Sequence, residues 1–190
     1  MNTVSMLIKP ASGRCNLRCR YCFYEDVSEH RQDHDLGLMD EDTAALMIRQ
    51  AMEEAESRVS FAFQGGEPMV RGLPFFQRFV ERYPNIKCIA RHVRYAHSGS
   101  ENSLKAFMWY EDHTFESKLF TFNILDRVGG GDAFASGLIY AMLHNYKPMD
   151  MVNFAVASSA IKHTIHGDAN ITDDVSTIRN LMDMNYDIKR

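Results

Sequence analysis

Residues Val59–Phe63 read VSFAF, a β-branched and aromatic run that ends without transition in Gln64-Gly65-Gly66-Glu67-Pro68. Ahead of it, Asp40 is a good N-cap for a helix that opens with the acids Glu41 and Asp42. Within that segment Ala44, Met47, Ile48, Ala51, Met52 and Ala55 recur at helical spacing, and its methionines read as packing rather than as ligands. A helix with one apolar face that feeds a strand and then a double glycine fits a β-α-β unit, which directs the chain to an α/β fold. A second short helix is expected over Leu73–Glu81, with Phe75, Phe76, Phe79 and Val80 inward and Pro74 in its first turn.

Composition narrows the functional classes. The 190 residues are 45% hydrophobic and 24% charged, the balance of a soluble globular chain. No run of about 18 apolar residues is present, and MNTVSMLIKP lacks a charged segment followed by an apolar one. Neither a membrane span nor a signal peptide is expected, and the cytoplasm is the expected compartment. A net charge of -4, with both signs interspersed, offers no basic field for nucleic acid and no polybasic patch for a membrane surface.

Three of the four cysteines fall within eight residues, Cys15-Asn-Leu-Arg-Cys19-Arg-Tyr21-Cys22. In a reducing compartment a disulfide framework is disfavoured, which leaves metal binding or catalysis. Asn16, Arg18 and Arg20 interrupt any apolar face between them, which argues against three packing thiols. No second Cys/His pair at zinc spacing follows, although His30 and His34 in the polar run SEHRQDHD keep a Cys/His zinc site open as an alternative. Three thiolates in C-x3-C-x2-C suit an iron-sulfur cluster with one iron left for a non-protein ligand.

CNLRCRYC resembles the cluster loop of radical S-adenosylmethionine enzymes, including Tyr21 directly before the third cysteine. FQGGEP is similar to the Gly-Gly-Glu-Pro segment that those enzymes set beside the methionine end of the cofactor. With LIKPASGRCNLRCRYCFYEDV, the first 82 or so residues look most like anaerobic sulfatase-maturating enzymes. The resemblance implies a 4Fe-4S cluster on Cys15, Cys19 and Cys22, and S-adenosylmethionine held near Tyr21, Gly65, Gly66 and Glu67. It also implies a sulfatase polypeptide as substrate, in which a cysteine or serine becomes formylglycine. The hard chemistry would then be the cofactor's, and the protein would supply position. Gly65 and Gly66 are expected to let backbone approach the ligand, and Glu67 to accept from its ammonium.

From Tyr83 the text changes. Asp126-Arg-Val-Gly129-Gly130-Gly131-Asp132 places three glycines and an acid at the start of a helix. Consecutive backbone N–H groups at a positive helix end suit phosphate oxygens, although no Gly-Lys-Ser/Thr follows to make a Walker loop. This run, with NIKCIA, HSGSEN and SSAIKHTIHGDAN, resembles the C-terminal third of ribokinase-family sugar kinases, most closely 2-keto-3-deoxygluconate kinases. That resemblance implies ATP and magnesium, a keto-sugar acid as acceptor, Asp132 as the base that takes the hydroxyl proton, and Gly129–Gly131 as the anion cradle. It also sets the nucleotide base near a helix over Met149–His163, whose small face is Val152, Ala155, Val156, Ser159 and Ala160, with Asn170 close by.

Around these motifs, Leu104–Tyr110 and Thr114–Phe122 read as two strands joined by Glu111-Asp112-His113, and helices are expected over Asp132–His144, Met149–His163 and Asp173–Met182. Trp109 is assigned to the core and Cys88 to a buried strand. His92, His97, His113, His144, His163 and His166 share no ligand spacing and are given ordinary polar or capping roles.

The expected domains are therefore 1–82, a partial β/α-barrel fragment of the radical type, and 83–190, the C-terminal part of a ribokinase-like α/β domain, with Pro84 marking the join. A complete eight-unit barrel runs to roughly 250 residues, so both families would be represented by incomplete pieces. Three functions follow as expectations: cluster and S-adenosylmethionine binding, an ATP-dependent sugar kinase fragment, or a fusion product without turnover.

Overall fold

The computed structural model describes residues 2–16, 22, 30, 35–172 and 174–184. The chain divides into two compact units, Met1–Pro84 and Asn85–Arg190.

In the first unit β1 (Thr3–Ile8) and β2 (Arg58–Phe63) pair in parallel, Thr3 opposite Arg58 through Ile8 opposite Phe63. Strand periodicity sends Val4, Met6 and Ile8, with Val59, Phe61 and Phe63, to one face; Thr3, Ser5, Leu7, Ser60 and Ala62 remain exposed on the other. The crossover is α1 (Glu41–Glu54), capped as its sequence dictates: Asp40 Oδ1 accepts from Thr43 N–H at 2.7 Å. That bond, followed by one from the Thr43 hydroxyl, holds the Asp40 carboxyl below its ordinary value.

The face of α1 that is buried comprises Ala44, Ala45, Ile48 and Ala51. Met52, expected inward, is exposed instead, because two strands about 4.8 Å apart cover only a narrow stripe of a helix. Beyond a 3-10 turn at Pro68–Arg71 lies α2 (Leu73–Arg82), which buries Phe75. Its Phe76 and Phe79 rings meet Phe63 edge-on at 5.1 and 5.4 Å, and Phe79 meets Phe61 at 5.7 Å. Such edge-to-face pairs add to the area buried.

The second unit is built on an antiparallel sheet with β4 (Glu101–Tyr110) at its centre. On one side β4 pairs with β3 (Cys88–Ala96); on the other it pairs with β5 (His113–Glu116) at one end and β6 (Phe120–Asn123) at the other. The β4–β5 turn is Glu111-Asp112, both left-handed at φ 45 and 65°, and His113 already belongs to β5.

The run Thr114–Phe122, expected as one strand, is two. Ser117 keeps the ladder by donating its N–H to Ala106 O at 2.9 Å, but its hydroxyl, not its carbonyl, accepts from Ala106 N–H at 2.8 Å. The next amide, Lys118 N–H, is taken by the buried Asn153 Oδ1 at 2.8 Å. A side chain from a distant helix thus breaks the strand.

The helices are α3 (Gly130–Leu143), α4 (Pro148–Lys162) and α5 (Val175–Met182). Each differs from expectation by one or two residues: α3 takes Gly130 and Gly131 into its first turn, α4 starts at a proline, and Asp174 caps α5 by accepting from Ser176 N–H. Every residue of α4 from Met151 to Ala160 is buried, as a helix apolar all round should be. Leu104, Ala106, Met108 and Phe120 of the sheet, Phe134 and Ala141 of α3, and Ile178 of α5 complete the core with it. At Gly137 α3 comes so close to α4 that an added Cβ would lie 2.9 Å from Ser158 Cβ.

Trp109 is not core. It alternates with Met108 and lies half-buried on the other face of β4. Cys88, in β3, is half-buried, and burial pushes its thiol up to about 11.

Both units are mixed α/β, and neither sheet closes on itself among the described residues.

Candidate functional site

In the first unit the cysteine loop leaves β1 through a tied stem. Outgoing residues 10–14 run beside returning residues 35–39: Pro10 O accepts from Met39 N–H at 2.8 Å, Ser12 Oγ from Leu36 N–H at 3.4 Å, and Arg14 Nε donates to Asp35 Oδ2 at 2.5 Å. Asp35 Oδ1 also accepts from Gly37 N–H at 2.8 Å; this bond, then Arg14, holds its carboxyl below the ordinary value.

The double glycine grips the same stem from the end of β2. Gln64 N–H extends the ladder to Ile8 O, Gly66 N–H donates to Ser12 O at 3.1 Å, and Glu67 N–H to Arg14 O at 2.9 Å. At Gly65, with φ of +118°, a Cβ would stand 2.5 Å from Ser12 O, and at Gly66 it would land on the Arg14 carbonyl. Both glycines are therefore required by the backbone that leads into Cys15. Glu67 Oε1 accepts from Met69 N–H at 3.0 Å and caps the 3-10 turn.

Cys15 is exposed and Cys22 half-buried, both as thiols. Cys19, Tyr21 and His34 lie outside the described residues. Among the described residues no three His, Cys, Asp or Glu side chains converge as a metal site.

In the second unit the glycine turn is built from three sides. Gly129 caps α3 in the left-handed region at φ 77°, and a Cβ there would strike the carbonyl of Asp168. Ala133 N–H is the first to close a helical bond, to Gly129 O, so the amides of Gly130, Gly131 and Asp132 have no partner within the helix. Gly130 is buried against the ring of His163, while Gly131 and Asp132 face solvent. Ser159 Oγ donates to Gly130 O at 2.8 Å.

His163 O accepts from both Leu125 and Asp126 N–H, at 2.8 and 3.1 Å. The Asp126 carboxylate accepts from Val128 and Gly167 N–H, which hold it below its ordinary value. Lys162, fully buried, donates to Ile165 O at 3.0 Å. Burial, above all, lowers both imidazoles near the turn, His163 and, to about 4, His92; Arg94 opposes a proton on either, and Lys162 and Arg127 oppose one on His163.

Asn170, expected near a nucleotide base, spends its amide on Ser158 and Thr172. The contributions of Asp126, His163 and Asp168 were not anticipated. An aspartate two residues before the amide it accepts is an Asx-turn signature and marks Asp126 in hindsight; the other two contacts are long-range.

Two likenesses to different enzymes coexist in this chain: to radical S-adenosylmethionine sulfatase-maturating enzymes and to pfkB carbohydrate kinases. Residues 106–174 match the family described as pfkB family carbohydrate kinase. The cysteine-type anaerobic sulfatase-maturating enzyme of Clostridium perfringens is 45% identical over 92 residues, 46% of this chain and 25% of that enzyme. The 5-dehydro-2-deoxygluconokinase of Clostridium botulinum is 32% identical over 68 residues, 36% of this chain and 19% of that protein. A crystal structure of a PfkB family carbohydrate kinase from Listeria grayi superposes with a TM-score of 0.58 at 27% identity, covering 77% of this chain and 47% of that one. The chain thus spans a quarter or less of these two curated relatives. Among the described residues no helix is long and apolar enough to cross a membrane.

Proposed function

We propose that residues 1–82 are a radical-type fragment that binds a 4Fe-4S cluster through Cys15, Cys19 and Cys22, with S-adenosylmethionine beside Tyr21, Gly65, Gly66 and Glu67. The observation that carries this reading is the stem. Hydrogen bonds from Gly66 and Glu67, with the Arg14–Asp35 pair, fix the backbone immediately ahead of Cys15, so the first thiol projects from a defined base. The donor set fits: exposed and half-buried soft thiols in a short loop suit iron. When bound, the cluster would supply an electron to the sulfonium of the cofactor. The protein's own share is to seat the loop and to offer backbone and carboxylate acceptors near the double glycine.

Anaerobic reconstitution followed by iron and sulfide analysis tests the proposal. The expected result is a cluster that Cys19→Ala abolishes; a chain that binds no iron, or binds it equally after that change, overturns it.

A second reading belongs to residues 83–190, as the C-terminal fragment of a sugar kinase that binds ATP and magnesium. It is favoured by the left-handed Gly129 and by the amides of Gly130, Gly131 and Asp132, which have no partner within the helix. Asp132, exposed in the first turn, is the base that this reading assigns toward a keto-sugar acid. Titration calorimetry with ATP and magnesium should show binding that Gly130→Val removes; no binding, or indifference to the change, sinks it.

A third reading is a cytoplasmic fusion product that joins the two likenesses and turns over neither a sulfatase polypeptide nor a sugar. Deoxyadenosine formation or sugar phosphorylation above background refutes that.

A further inference from the structure

His163 touches the glycine turn in three ways. Its carbonyl accepts the amides of Leu125 and Asp126, which start the turn. Its Nδ1 lies 2.7 Å from Ser159 O, and since a carbonyl only accepts, that nitrogen carries the proton. The bond anchors the ring one helical turn along α4. The ring then lies where a Gly130 Cβ would be, its Cε1 nearest and Nε2 2.8 Å from that position, and Phe122 backs it at 5.3 Å between centroids. The same Ser159 holds Gly130 O through its hydroxyl. The imidazole is therefore wedged between α4 and the first residue of α3, and Gly130 cannot settle toward α4 without displacing it.

We propose that His163 is a positioning residue: its ring is the floor that sets the amides of Gly130 and Gly131 outward, toward the phosphate of a bound nucleotide. The inference rests on the second reading above. The charged and titratable groups that act on the ring are His92 and Arg94 of β3, Arg127 of the turn, and Lys162 beside it on α4. With three cations there, the floor works as a neutral ring, and shape rather than charge is what the turn takes from it.

Two substitutions separate shape from hydrogen bonding. His163→Asn keeps a donor for Ser159 O but removes the ring, whereas His163→Phe keeps the ring and removes the donor. The full chain is titrated with ATP and magnesium by calorimetry, and amide exchange is followed at Gly130 and Gly131. With far-ultraviolet dichroism unchanged, His163→Asn should weaken binding about tenfold or more and speed exchange at those two amides, while His163→Phe stays within about threefold of the parent.

An Asn variant that binds and exchanges like the parent overturns the proposal, as does a Phe variant as impaired as Asn. If the Asn variant loses its dichroism, parent-like exchange in the Phe variant supports the floor, and fast exchange there overturns it. If the parent chain binds no nucleotide, the second reading falls, and the exchange arm alone decides whether the ring holds the turn.

Discussion

Gly129, Gly130 and Gly131 are identical in sequence and should respond in three different ways to alanine. At Gly129 the left-handed φ of 77° costs an L-residue about 1–2 kcal/mol, and the Cβ must also displace the Asp168 carbonyl, about 1–3 kcal/mol more. The sum is about 2–5 kcal/mol of destabilisation. At Gly130 the obstacle is the His163 ring, held by Ser159 and Phe122, so overpacking of about 1–3 kcal/mol competes with about 0.5–1 kcal/mol regained from helix propensity. At Gly131 a Cβ meets nothing within 4 Å and φ is not positive, so alanine should stabilise by about 0.5–1 kcal/mol. The expected order is therefore Gly131→Ala, parent, Gly130→Ala, Gly129→Ala, from most to least stable. Urea unfolding followed by the fluorescence of Trp109, the single tryptophan and a residue of the second unit, reads that unit directly. A Gly129→Ala midpoint equal to the parent's, or a Gly131→Ala variant less stable than Gly130→Ala, would refute the reasoning.

Acid should weaken the second unit before it weakens most small domains. His92 is lowered from 6.5 to about 4 by burial, then by His163 and Arg94, so the unfolded chain takes up the proton first. Stability is whole above pH 6.5 and falls between 6.5 and 4, by on the order of 3 kcal/mol in all, with His163 acting in the same direction; His92→Phe should flatten that slope, and an unchanged slope removes the explanation. Gly66→Ala drives a Cβ into the Arg14 carbonyl and strips two stem hydrogen bonds. It should cost about 2–4 kcal/mol and lower the iron retained on reconstitution, whereas parent-like iron content would disconnect the stem from the loop. With its thiol near 11, Cys88 presents about a thousandth of itself as thiolate at pH 8, so iodoacetamide should modify the exposed Cys15 first, and mass spectrometry showing the reverse order contradicts the burial of Cys88.

The β-α-β unit was legible because Asp40, the helical spacing behind it and VSFAF each point to the same element. Sequence fails where a distant atom decides. Nothing in Thr114–Phe122 marks a break, since the cause is Asn153, 35 residues away, taking the Lys118 amide. The strand expected at Cys88 runs on through Arg91, His92 and Arg94, which read poorly as strand, and nine of its residues pair with β4. Trp109 looks like core by type, but its position beside Met108 on a two-faced strand sends it to the other side. At both candidate sites the glycines announce themselves, whereas the groups that require them do not: Ser12 and Arg14 for one pair, Asp168 and His163 for the other.

That difference bears on what each proposed site asks of the surrounding fold. Each glycine pair is needed first by neighbouring backbone or by a buried ring, and a ligand would use only what the packing leaves outward. In the first unit, the exposed Cys15 follows a stem whose hydrogen bonds all lie within residues 8–67, so the proposed ligation draws on local backbone. In the second, Gly131 and Asp132 face solvent, and the proposed phosphate site would still need an opposing wall to orient an acceptor hydroxyl. The chain spans a quarter of one curated relative and a fifth of the other, so that wall would have to come from outside the matched segment. The two proposed functions therefore differ from turnover in what they ask of the fold: ligation needs one surface, whereas transfer needs two held in register.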